Sequence, residues 1–343
     1  MKSNFYIGWD IGGANTKVCI FDENFNIIEI KSKNINVWQN FEELNYYFQE
    51  ISKPYINYVV KNFITITAES CDNFDNRYSG VISILENCNS YMYGTKLFYS
   101  NIDKYLIYND ALKNPDYLFS TNWILTLKYL NKIKNVDLII DIGSTTTDII
   151  YKNMNVLENI DDHKRLINNS LLYAGVIRTP IPMIVNKVNF LSKEVPLINE
   201  VFSTTGDIFN ITNDIDFDEL DYVGADNLNF TKKNSFVRIA RSLGLDYNSS
   251  MKSEIIKVSH AIKNNFVEMI YKKIKLIFNI HMEELKLSSI GEGNFLIKEL
   301  ALKHNLKYLS LKDNIFFSDK KINKKILNKS FTAALVVKNY FLK

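Results

Sequence analysis

The chain has 343 residues, 46% of them apolar and 23% charged, which is the balance of an ordinary globular protein with room for two cores. The formal charge of +3 is small, and no long run of lysine and arginine stands out. Composition and charge therefore argue against a disordered chain and give no reason to expect a nucleic-acid partner.

The first motif along the chain is a predicted β-hairpin. Its first strand ends in an aspartate, its turn consists of glycine and small polar residues, and a second strand follows. It covers residues 5–20, with Asp10 at the end of the first strand and Gly12-Gly13-Ala14-Asn15-Thr16-Lys17 after it. Glycine lets the backbone approach a phosphate, and turn amides and hydroxyls donate to phosphate oxygens. The aspartate is suited to hold Mg2+ directly or through water. One such hairpin is weak evidence, since any buried hairpin can carry these residues.

Residues 25–129 alternate between strand and helix patterns. Apolar spacing predicts strands over 25–31 and 63–68, with a further hairpin or strand pair over 91–99. It predicts helices over 38–58, 81–87 and 121–129, the first ended or kinked by Pro54 and the last capped by Thr121. Glu69 follows a strand at the sheet edge where open α/β folds bind ligands. Taken alone, Glu69 fits a solvated strand-end acid equally well.

The same hairpin motif occurs a second time in the middle of the chain. Residues 136–140 form an apolar strand that reaches Asp141, and Gly143-Ser144-Thr145-Thr146-Thr147-Asp148 leads into a second strand. Two copies about 130 residues apart are far more specific than one. Because a repeated device suggests a repeated domain, we place a domain boundary near Asn135.

Candidate binding residues follow the second hairpin. Arg165 and Arg178 bracket a short predicted strand that carries Tyr173, and arginine suits bidentate recognition of phosphate or carboxylate. For either arginine alone, a surface ion pair is the alternative. Further on, a hydroxyl-rich turn holds Thr205 and Asp207.

The C-terminal third is predicted to contain helices over 235–243 and 253–280 and a strand over 286–290. Gly291-Glu292-Gly293 then leads into a helix over 295–304. Such a connection brings backbone close to a ligand, often a nucleotide or phosphate at the helix N-terminus. The alternative is a glycine turn that only the strand-to-helix connection requires. Residues 330–342 form a closing helix.

The cysteines and histidines suggest neither a redox nor a metal site. The three cysteines have no Cys-x-x-Cys spacing, and the four histidines are scattered. No leader precedes the first strand, and no apolar run approaches the ~18 residues of a membrane span. We expect a cytoplasmic protein without a membrane partner.

The two Asp-Ile-Gly hairpins and the Gly-x-Gly turn resemble the phosphate and adenosine motifs of the superfamily that contains actin, sugar kinases, acetate kinases and the large chaperone ATPases. The resemblance implies an α/β fold of two ribonuclease-H-like domains facing a central cleft. Residues 1–135 would form the N-terminal domain and residues 136–343 the C-terminal one, each with one hairpin. The closing helix, 330–342, would pack back on the N-terminal domain.

A narrower resemblance covers nearly the whole chain. Residues 8–17, 141–148 and Tyr173-x-Gly175-x-x-Arg178-Thr179-Pro180 are similar to a hydantoinase/oxoprolinase-related family linked to tetrahydromethanopterin-dependent one-carbon metabolism. The Gly-Ala-Asn-Thr-Lys and Arg-Thr-Pro segments are its specific part. Two departures, at Ala68-Glu69-Ser70 and at Gly206, leave the neighbouring acids in place.

The family resemblance implies a transferase of methanofuran/methylofuran-type cofactor biosynthesis. The reaction would couple an aminomethylfuran-methanol diphosphate to a tyramine-type phenol and release diphosphate, with Mg2+ and without ATP. The partners would be small-molecule substrates, with no nucleic acid.

The implied roles fall into four groups. Asp10 and Asp141 would hold Mg2+. The catalytic acids would be Asp10, Glu69, Asp141, Asp148 and Asp207, with one of Glu69, Asp148 and Asp207 taking the phenol proton. Phosphate would be bound by Gly12, Gly13, Asn15, Thr16, Lys17, Gly143, Ser144, Thr145, Thr146 and Thr147. Substrate would be bound by Arg165, Tyr173, Arg178, Thr205, Gly291 and Gly293, with the partner of Arg178 (diphosphate or glutamyl carboxylate) left open.

Two other functions are compatible with the same motifs. One is an ATP-dependent hydrolase of a cyclic amide, of the hydantoinase or oxoprolinase type. The other is a non-catalytic ATP-binding or kinase-like protein. ATP is expected as a cofactor only under these alternatives.

Overall fold

The computed structural model describes residues 3–217, 222–278, 284–313 and 324–341. The chain divides into two compact units: unit 1 comprises Met1–Ile139, Ile150–Ile167 and Leu309–Lys343, and unit 2 comprises Ile140–Ile149 and Asn168–Tyr308. In sequence, unit 2 lies inside unit 1. The predicted domain boundary near Asn135 stays a prediction, as does the cleft between the domains.

The strands and helices of both units have the following bounds. The strands are β1 Asn4–Gly12, β2 Asn15–Phe21, β3 Ile27–Asn34, β4 Val59–Thr67, β5 Thr95–Tyr99, β6 Tyr105–Leu106, β7 Leu138–Ile142, β8 Thr147–Tyr151, β9 Leu171–Leu172, β10 Lys187–Phe190, β11 Lys193–Pro196, β12 Lys286–Ile290 and β13 Lys307–Tyr308. The α-helices are α1 Glu42–Ser52, α2 Arg77–Tyr91, α3 Tyr108–Lys113, α4 Asn122–Lys132, α5 Asp162–Ile167, α6 Thr205–Ile211, α7 Lys232–Ser242, α8 Lys252–Phe278, α9 Asn294–Lys303 and α10 Phe331–Phe341.

Unit 1 is built on a six-stranded mixed sheet in the order β3-β2-β1-β4-β5-β6. β1, β2 and β3 pair antiparallel, whereas β4 pairs parallel with both β1 and β5. Parallel neighbours need a crossover, and α1 and α2 supply the two that are required. An antiparallel meander followed by parallel strands in this order is the ribonuclease-H-like arrangement, as predicted.

The two faces of β1 are packed differently, because successive side chains of a strand point to opposite sides. On one face the Trp9 ring meets the Phe48 ring edge-on at 5.3 Å, and its indole nitrogen donates to Asn62 Oδ1 at 2.9 Å. On the other face Gly8 lies directly against α10, where a Cβ would come within 1.8 Å of the Ala333 carbonyl oxygen. Because glycine has no Cβ, helix α10 can pack directly against the sheet at Gly8.

Unit 2 is built on the sheet β13-β12-β7-β8-β9. This order repeats β5-β4-β1-β2-β3 of unit 1, so both units have the ribonuclease-H-like strand order. A separate two-stranded sheet, β10-β11, lies in a second hydrophobic cluster with α6, α7 and α8. Ile208, Ile239 and Ile262 are among the fully buried residues of that cluster.

Several sequence predictions are confirmed with small shifts in their bounds. The strands at 63–68 and 286–290 correspond to β4 and β12, and the helices at 235–243 and 295–304 to α7 and α9. The closing helix is α10, which belongs to unit 1. The predicted ends of two helices, residues 279–280 and 342, lie outside the described residues.

The helix predicted from residue 38 begins later, at Glu42, and it passes into a 3-10 turn at Lys53–Tyr55, so the end or kink predicted at Pro54 is confirmed. Three other local predictions were wrong. No hairpin or strand pair forms within 91–99, because α2 runs to Tyr91 and β5 pairs with β6 further along the chain. The strand β9 ends before Tyr173, which is half-exposed. Thr121 does not cap α4: its hydroxyl bonds with the Thr65 hydroxyl at 2.8 Å and lies 3.3 Å from the Tyr99 carbonyl oxygen.

Within the described residues, we find no helix that combines the length and apolar character needed to cross a lipid bilayer.

The close contact between Gly8 and α10 predicts that alanine at Gly8 destabilises the protein more than alanine at Gly143. Gly8→Ala should lower the free energy of unfolding by about 3 kcal/mol, the upper end of overpacking costs, because the new methyl meets backbone that cannot move aside. Gly143→Ala should change it by less than about 1 kcal/mol, since a Cβ there meets no described atom closer than 3.8 Å. Urea unfolding of both variants measures the difference, and equal stabilities would contradict the packing described.

Candidate functional site

The two hairpins match residue by residue. Asp10 corresponds to Asp141, and the order Asp-Ile-Gly is followed in each by a turn and a buried threonine, Thr16 or Thr147. Each aspartate is carried on a sheet's central strand, beside its hairpin partner and a third strand. The fold therefore presents the same small turn twice, once in each unit.

In the first hairpin the acid is accompanied by a cation. The strand register places Asp10 directly opposite Lys17 on β2 and beside Thr65 on β4. Directly opposite residues share a face of the sheet, with Cβ atoms about 4.5–5.5 Å apart. Asp10 is buried and Lys17 is partly exposed. The first hairpin thus combines a carboxylate and an ammonium group at one sheet position.

The turn of the first hairpin is tightly constrained. A Cβ at Gly12 would come within 2.7 Å of the Asn15 carbonyl oxygen, and one at Gly13 within 2.7 Å of Cys71 Sγ. Asn15 and Thr16 are buried behind the turn, and the Thr16 hydroxyl has no hydrogen-bond partner among the described residues. A buried hydroxyl that lacks a protein partner is a donor available to a ligand oxygen.

The turn of the second hairpin is held by its own backbone and by the segment that follows β9. The Gly143 amide donates to the Thr146 carbonyl at 2.9 Å, which closes the turn. The Ile177 and Arg178 amides both donate to the Ser144 carbonyl, at 3.1 and 3.0 Å. Sequence analysis identified residues 173–180 as a family motif, and the structure shows that this segment supports the turn.

Threonine hydroxyls fix that supporting segment. Thr147 donates to the Ala174 carbonyl at 2.7 Å, and Thr205 donates to the Gly175 carbonyl at 2.7 Å. Thr179 accepts from the Gly175 amide at 2.8 Å. Thr147 and Thr205 are therefore structural supports of the turn, while Ser144, Thr145 and Thr146 form the turn itself.

The Gly291-Glu292-Gly293 connection closes over the end of β7. Gly291 has a φ of +84°, and a Cβ there would come within 2.5 Å of Asp141 Oδ1. The Gly293 amide donates to the Ile142 carbonyl at 3.0 Å. Glycine at 291 is required both by the left-handed backbone and by the closeness of the Asp141 carboxylate.

In the second hairpin the Gly143 amide bonds to the Thr146 carbonyl. Extending this pairing along β7 and β8 places Asp148 opposite Asp141, as Lys17 lies opposite Asp10 in the first hairpin. Asp148 is buried on β8 and Asp141 is partly exposed. Two like charges on one face of a hairpin repel each other. Carboxylate oxygens are ligands that a hard divalent ion prefers, so by residue type the second hairpin could hold one.

Glu69 belongs to a buried ion pair in unit 1. Its Oε1 accepts from Arg77 Nη2 at 2.8 Å and from the Ser120 hydroxyl at 2.9 Å, and the carboxyl group is fully buried. Burial raises the pKa of Glu69, and Arg77 opposes the shift. Glu69 is therefore not the solvated acid that was one of its two sequence interpretations.

Asp207 belongs to a comparable pair in unit 2. Arg238 Nε donates to Asp207 Oδ1 at 2.8 Å, and the Thr204 amide donates to Asp207 Oδ2 at 3.1 Å. Burial raises the pKa of Asp207 to about 6, against the lowering effect of Arg238. Both oxygens of Asp207 are thus occupied by protein donors. Sequence analysis missed Arg238, although an arginine inside the apolar pattern of α7 was the available signal.

The remaining predicted substrate residues are divided between the units. Arg165 is buried in unit 1, with its guanidinium 4.9 Å from the centre of the Trp123 ring and 3.7 Å from Asp162 Oδ1. Tyr173 and Arg178 belong to unit 2 and are exposed at either end of the segment that supports the second turn. Unit 2 thus holds Tyr173, Arg178, Thr205, Gly291 and Gly293 around one hairpin, and Arg165 is not among them.

No cluster of three or more metal-ligating acids, histidines or cysteines occurs within residues 3–217, 222–278, 284–313 and 324–341. Mg2+ commonly uses only one or two carboxylates, with phosphate oxygens and water completing its shell. Asp10 and Asp141 fit that requirement by type and position. Since they belong to different units, a metal shared between them stays a prediction.

No family model matches the chain. It is 29% identical over 317 residues to the (4-{4-[2-(gamma-L-glutamylamino)ethyl]phenoxymethyl}furan-2-yl)methanamine synthase of Methanocaldococcus jannaschii, covering 90% of this chain and 91% of that protein. It is 28% identical over 215 residues to the synthase of the same name from Methanococcus vannielii, covering 60% of this chain and 94% of that protein.

Solved structures with similar folds are much more distant in sequence. The ADPNP-bound activator of the 2-hydroxyisocaproyl-CoA dehydratase from Clostridium difficile is 13% identical, with a TM-score of 0.42 over 98% of this chain and 93% of that one. The ethanolamine utilization protein EutJ from Carboxydothermus hydrogenoformans is 9% identical, with a TM-score of 0.44 over 98% and 89%. The fold assignment rests on the strand order of the two sheets and not on these likenesses.

Gly291 and Gly244 provide a matched test of the contact with Asp141. Both have positive φ, +84° and +74°, so alanine at either should cost about 1–2 kcal/mol of backbone strain. At Gly291 the methyl would meet the Ile142 carbonyl oxygen at 2.4 Å and the Asp141 carboxylate at 2.5 Å, whereas the nearest described atom to a Cβ at Gly244 is Ile198 Cδ1 at 3.6 Å. We therefore expect Gly291→Ala to weaken Mg2+–diphosphate binding at least about tenfold, and Gly244→Ala to leave it unchanged.

Isothermal titration with Mg2+ and inorganic diphosphate measures the two affinities, and thermal unfolding measures the additional cost of the clash at Gly291. Equal affinities in the two variants would show that Gly291 does not control the position of Asp141.

Proposed function

We propose that the chain catalyses formation of the aryl–alkyl ether named in its two curated relatives. Their name describes a phenol oxygen bonded to a methylene on a furan ring, with an aminomethyl group on the furan and a gamma-glutamylaminoethyl arm on the phenyl ring. The observation that carries the proposal is the 29% identity over 317 residues, which extends over both hairpin-bearing units. The reaction class is transfer of a furfuryl group.

The reaction is a displacement at the furfuryl carbon. The bond from that carbon to a diphosphate oxygen breaks, the bond to the phenol oxygen forms, and the phenol proton leaves. Diphosphate departs with the bonding electron pair. The furan ring stabilises positive charge on the carbon, so the main demand on the protein is to stabilise negative charge on the leaving group. The reaction as written consumes no ATP.

The second hairpin is the part of the chain best built to hold the leaving group. Ser144, Thr145 and Thr146 form a turn whose position is fixed by hydrogen bonds from Ile177 and Arg178. The space beside Gly143 is open, with no described atom within 3.8 Å of an added Cβ. Preorganised donors that need no rearrangement during the reaction are the most effective stabilisers of developing charge.

Each unit has a cationic side chain at its own hairpin. Lys17 supplies a fixed positive charge on the first hairpin, opposite Asp10. The backbone of Arg178 lies next to the second turn, because its amide donates to the Ser144 carbonyl, and its side chain therefore starts there. We assign Arg178 to the diphosphate on this ground. Arg165, buried against Trp123, contributes to the fold of unit 1.

Mg2+ fits the second hairpin, where Asp141 would hold it, with Asp10 as the matching acid of the first. When bound, the ion neutralises charge on the departing diphosphate. The Gly291 turn sets the position of the Asp141 carboxylate, and Asp148 shares the same face of the hairpin. These residues determine where an anion with a divalent ion can bind.

Asp148 is the best placed of the three acids considered for the phenol proton. Glu69 is fully buried with Arg77 and Ser120, and Asp207 with Arg238. Both of those carboxylates are held within ion pairs of their own units. Asp148 lies on the hairpin itself, so we assign proton removal to it.

The decisive experiment supplies a furfuryl-type diphosphate and a tyramine-type phenol with Mg2+ and no nucleotide. The expected products are the coupled ether and one equivalent of inorganic diphosphate, detected by mass spectrometry and a diphosphate assay. Absence of ether, together with ATP hydrolysis that depends on a hydantoin or oxoproline, would replace the proposal with a cyclic-amide hydrolase.

Asp141→Asn and Asp137→Asn form a matched pair for the metal role. Both remove one carboxylate charge from the same chain segment, but Asp137 precedes β7 and Asp141 lies within it, beside the turn. Asp141→Asn should lower turnover by at least about a hundredfold, with a larger loss at limiting Mg2+, because charge stabilisation of the leaving group is lost. Asp137→Asn should retain wild-type turnover.

Initial rates across a Mg2+ titration measure the effect, and circular dichroism confirms that both variants are folded. Wild-type turnover by Asp141→Asn at limiting Mg2+ would rule out the metal role.

A further inference from the structure

Arg238 is a fully buried cation in unit 2 that belongs to none of the substrate contacts described above. Its guanidinium joins two acids: Nε donates to Asp207 Oδ1 and Nη1 to Asp226 Oδ1, each at 2.8 Å. A face of the group lies 4.9 Å from the centre of the Phe230 ring. At Gly224 a Cβ would come within 2.4 Å of the guanidinium carbon, so glycine there leaves room for it.

The first consequence of this pairing is the position of helix α6. Asp207 is the third residue of that helix, and its Oδ2 accepts from the Thr204 amide at the helix start. Arg238 holds the other oxygen of the same carboxylate. The cation therefore fixes the rotamer of the residue that caps α6.

The start of α6 is in turn bonded to the segment that supports the second hairpin. The Thr205 amide donates to the Thr179 carbonyl at 2.8 Å, and the Gly206 amide donates to the Ile177 carbonyl at 3.0 Å. The Thr205 hydroxyl donates to the Gly175 carbonyl at 2.7 Å. Three hydrogen bonds thus transmit the position of α6 to residues 175–179.

The last step reaches the phosphate-binding turn. The Val176 amide donates to the Gly143 carbonyl at 3.0 Å, and the Ile177 and Arg178 amides donate to the Ser144 carbonyl. A Cβ at Gly175 would come within 2.4 Å of the Thr145 amide nitrogen. Because these contacts are between backbone groups, a shift of the supporting segment moves the turn with it.

We propose that Arg238 and Asp207 are positioning residues for the diphosphate-binding turn, acting through α6 and the supporting segment. The inference rests on the proposed function for the identity of the anion, and it gives Asp207 a different role from the proton acceptor predicted from sequence. The pair controls binding of the diphosphate part of the substrate, because the supporting segment bonds directly to Gly143 and Ser144 of the turn.

Arginine is required at this position because of its planar fork. It contacts Asp207 and Asp226 at once, whereas a lysine ammonium is a single point that reaches one of them. Arg238→Lys keeps the charge and removes the fork. The matched control is Arg241→Lys on the same helix, since Arg241 is exposed and lies 3.8 Å from Asp226. Asp207→Asn is the second test variant, and in it Arg238 keeps Asp226 as a partner.

The first measurement is amide hydrogen exchange in the full-length protein. In Arg238→Lys and Asp207→Asn, the amides of Val176, Ile177 and Arg178 should exchange at least about tenfold faster than in Arg241→Lys, because opening of the supporting segment becomes easier. Unchanged exchange at these amides in folded variants overturns the proposal. This measurement needs no ligand, so it is independent of the proposed function.

The second measurement separates positioning from general destabilisation. The inhibition constant of inorganic diphosphate should rise about tenfold in the two test variants, while the KM of the tyramine-type acceptor stays within about twofold. Equal losses for both ligands would overturn the proposal. If the wild-type chain forms no ether and binds no diphosphate, the proposed function fails, and the exchange comparison alone decides whether Arg238 positions the turn.

Discussion

The backbone contact between Gly175 and the turn at 143–146 is the constraint on which the architecture of the candidate site in unit 2 depends. No side chain separates the two segments, and a Cβ at Gly175 would come within 2.4–2.6 Å of Thr145, Ser144 and Gly143 backbone atoms. The turn is therefore fixed by main-chain hydrogen bonds, which do not use its hydroxyls. Thr147, Thr179 and Thr205 hold the supporting segment so that this contact stays closed.

Much of this arrangement could be predicted from the sequence because glycine and hydroxyl residues occur where backbone must come close. The two hairpins and the Gly-x-Gly connection follow from local patterns, whereas the ribonuclease-H-like fold was implied by the resemblance of these motifs to a known superfamily. The roles of Glu69 and Asp207 could not be predicted, because they depend on Arg77 and Arg238, which approach from other elements. Thr121 has the residue type of a helix cap but bonds to strands instead.

The duplicated hairpins are chemically unequal at one position. Opposite its aspartate the first hairpin has Lys17, and by the same register the second has Asp148. The first hairpin therefore places opposite charges face to face, whereas the second places two carboxylates on one face of its sheet. Under the proposed function, the second hairpin is the one suited to an added divalent cation, and the first carries its own positive charge.

The contact between Gly8 and α10 affects the order in which the two units can fold during synthesis. β1 precedes all of unit 2 in the sequence, and α10 follows all of it, so β1 leaves the ribosome before unit 2 and α10 after it. The face of β1 at Gly8 is shaped for that helix, so unit 1 stays incomplete while unit 2 is being made. Domains fold as units during synthesis, and here the inserted one is available first. Because α10 follows unit 2 in the sequence, the sheet of unit 1 receives this helix only after unit 2 has been made.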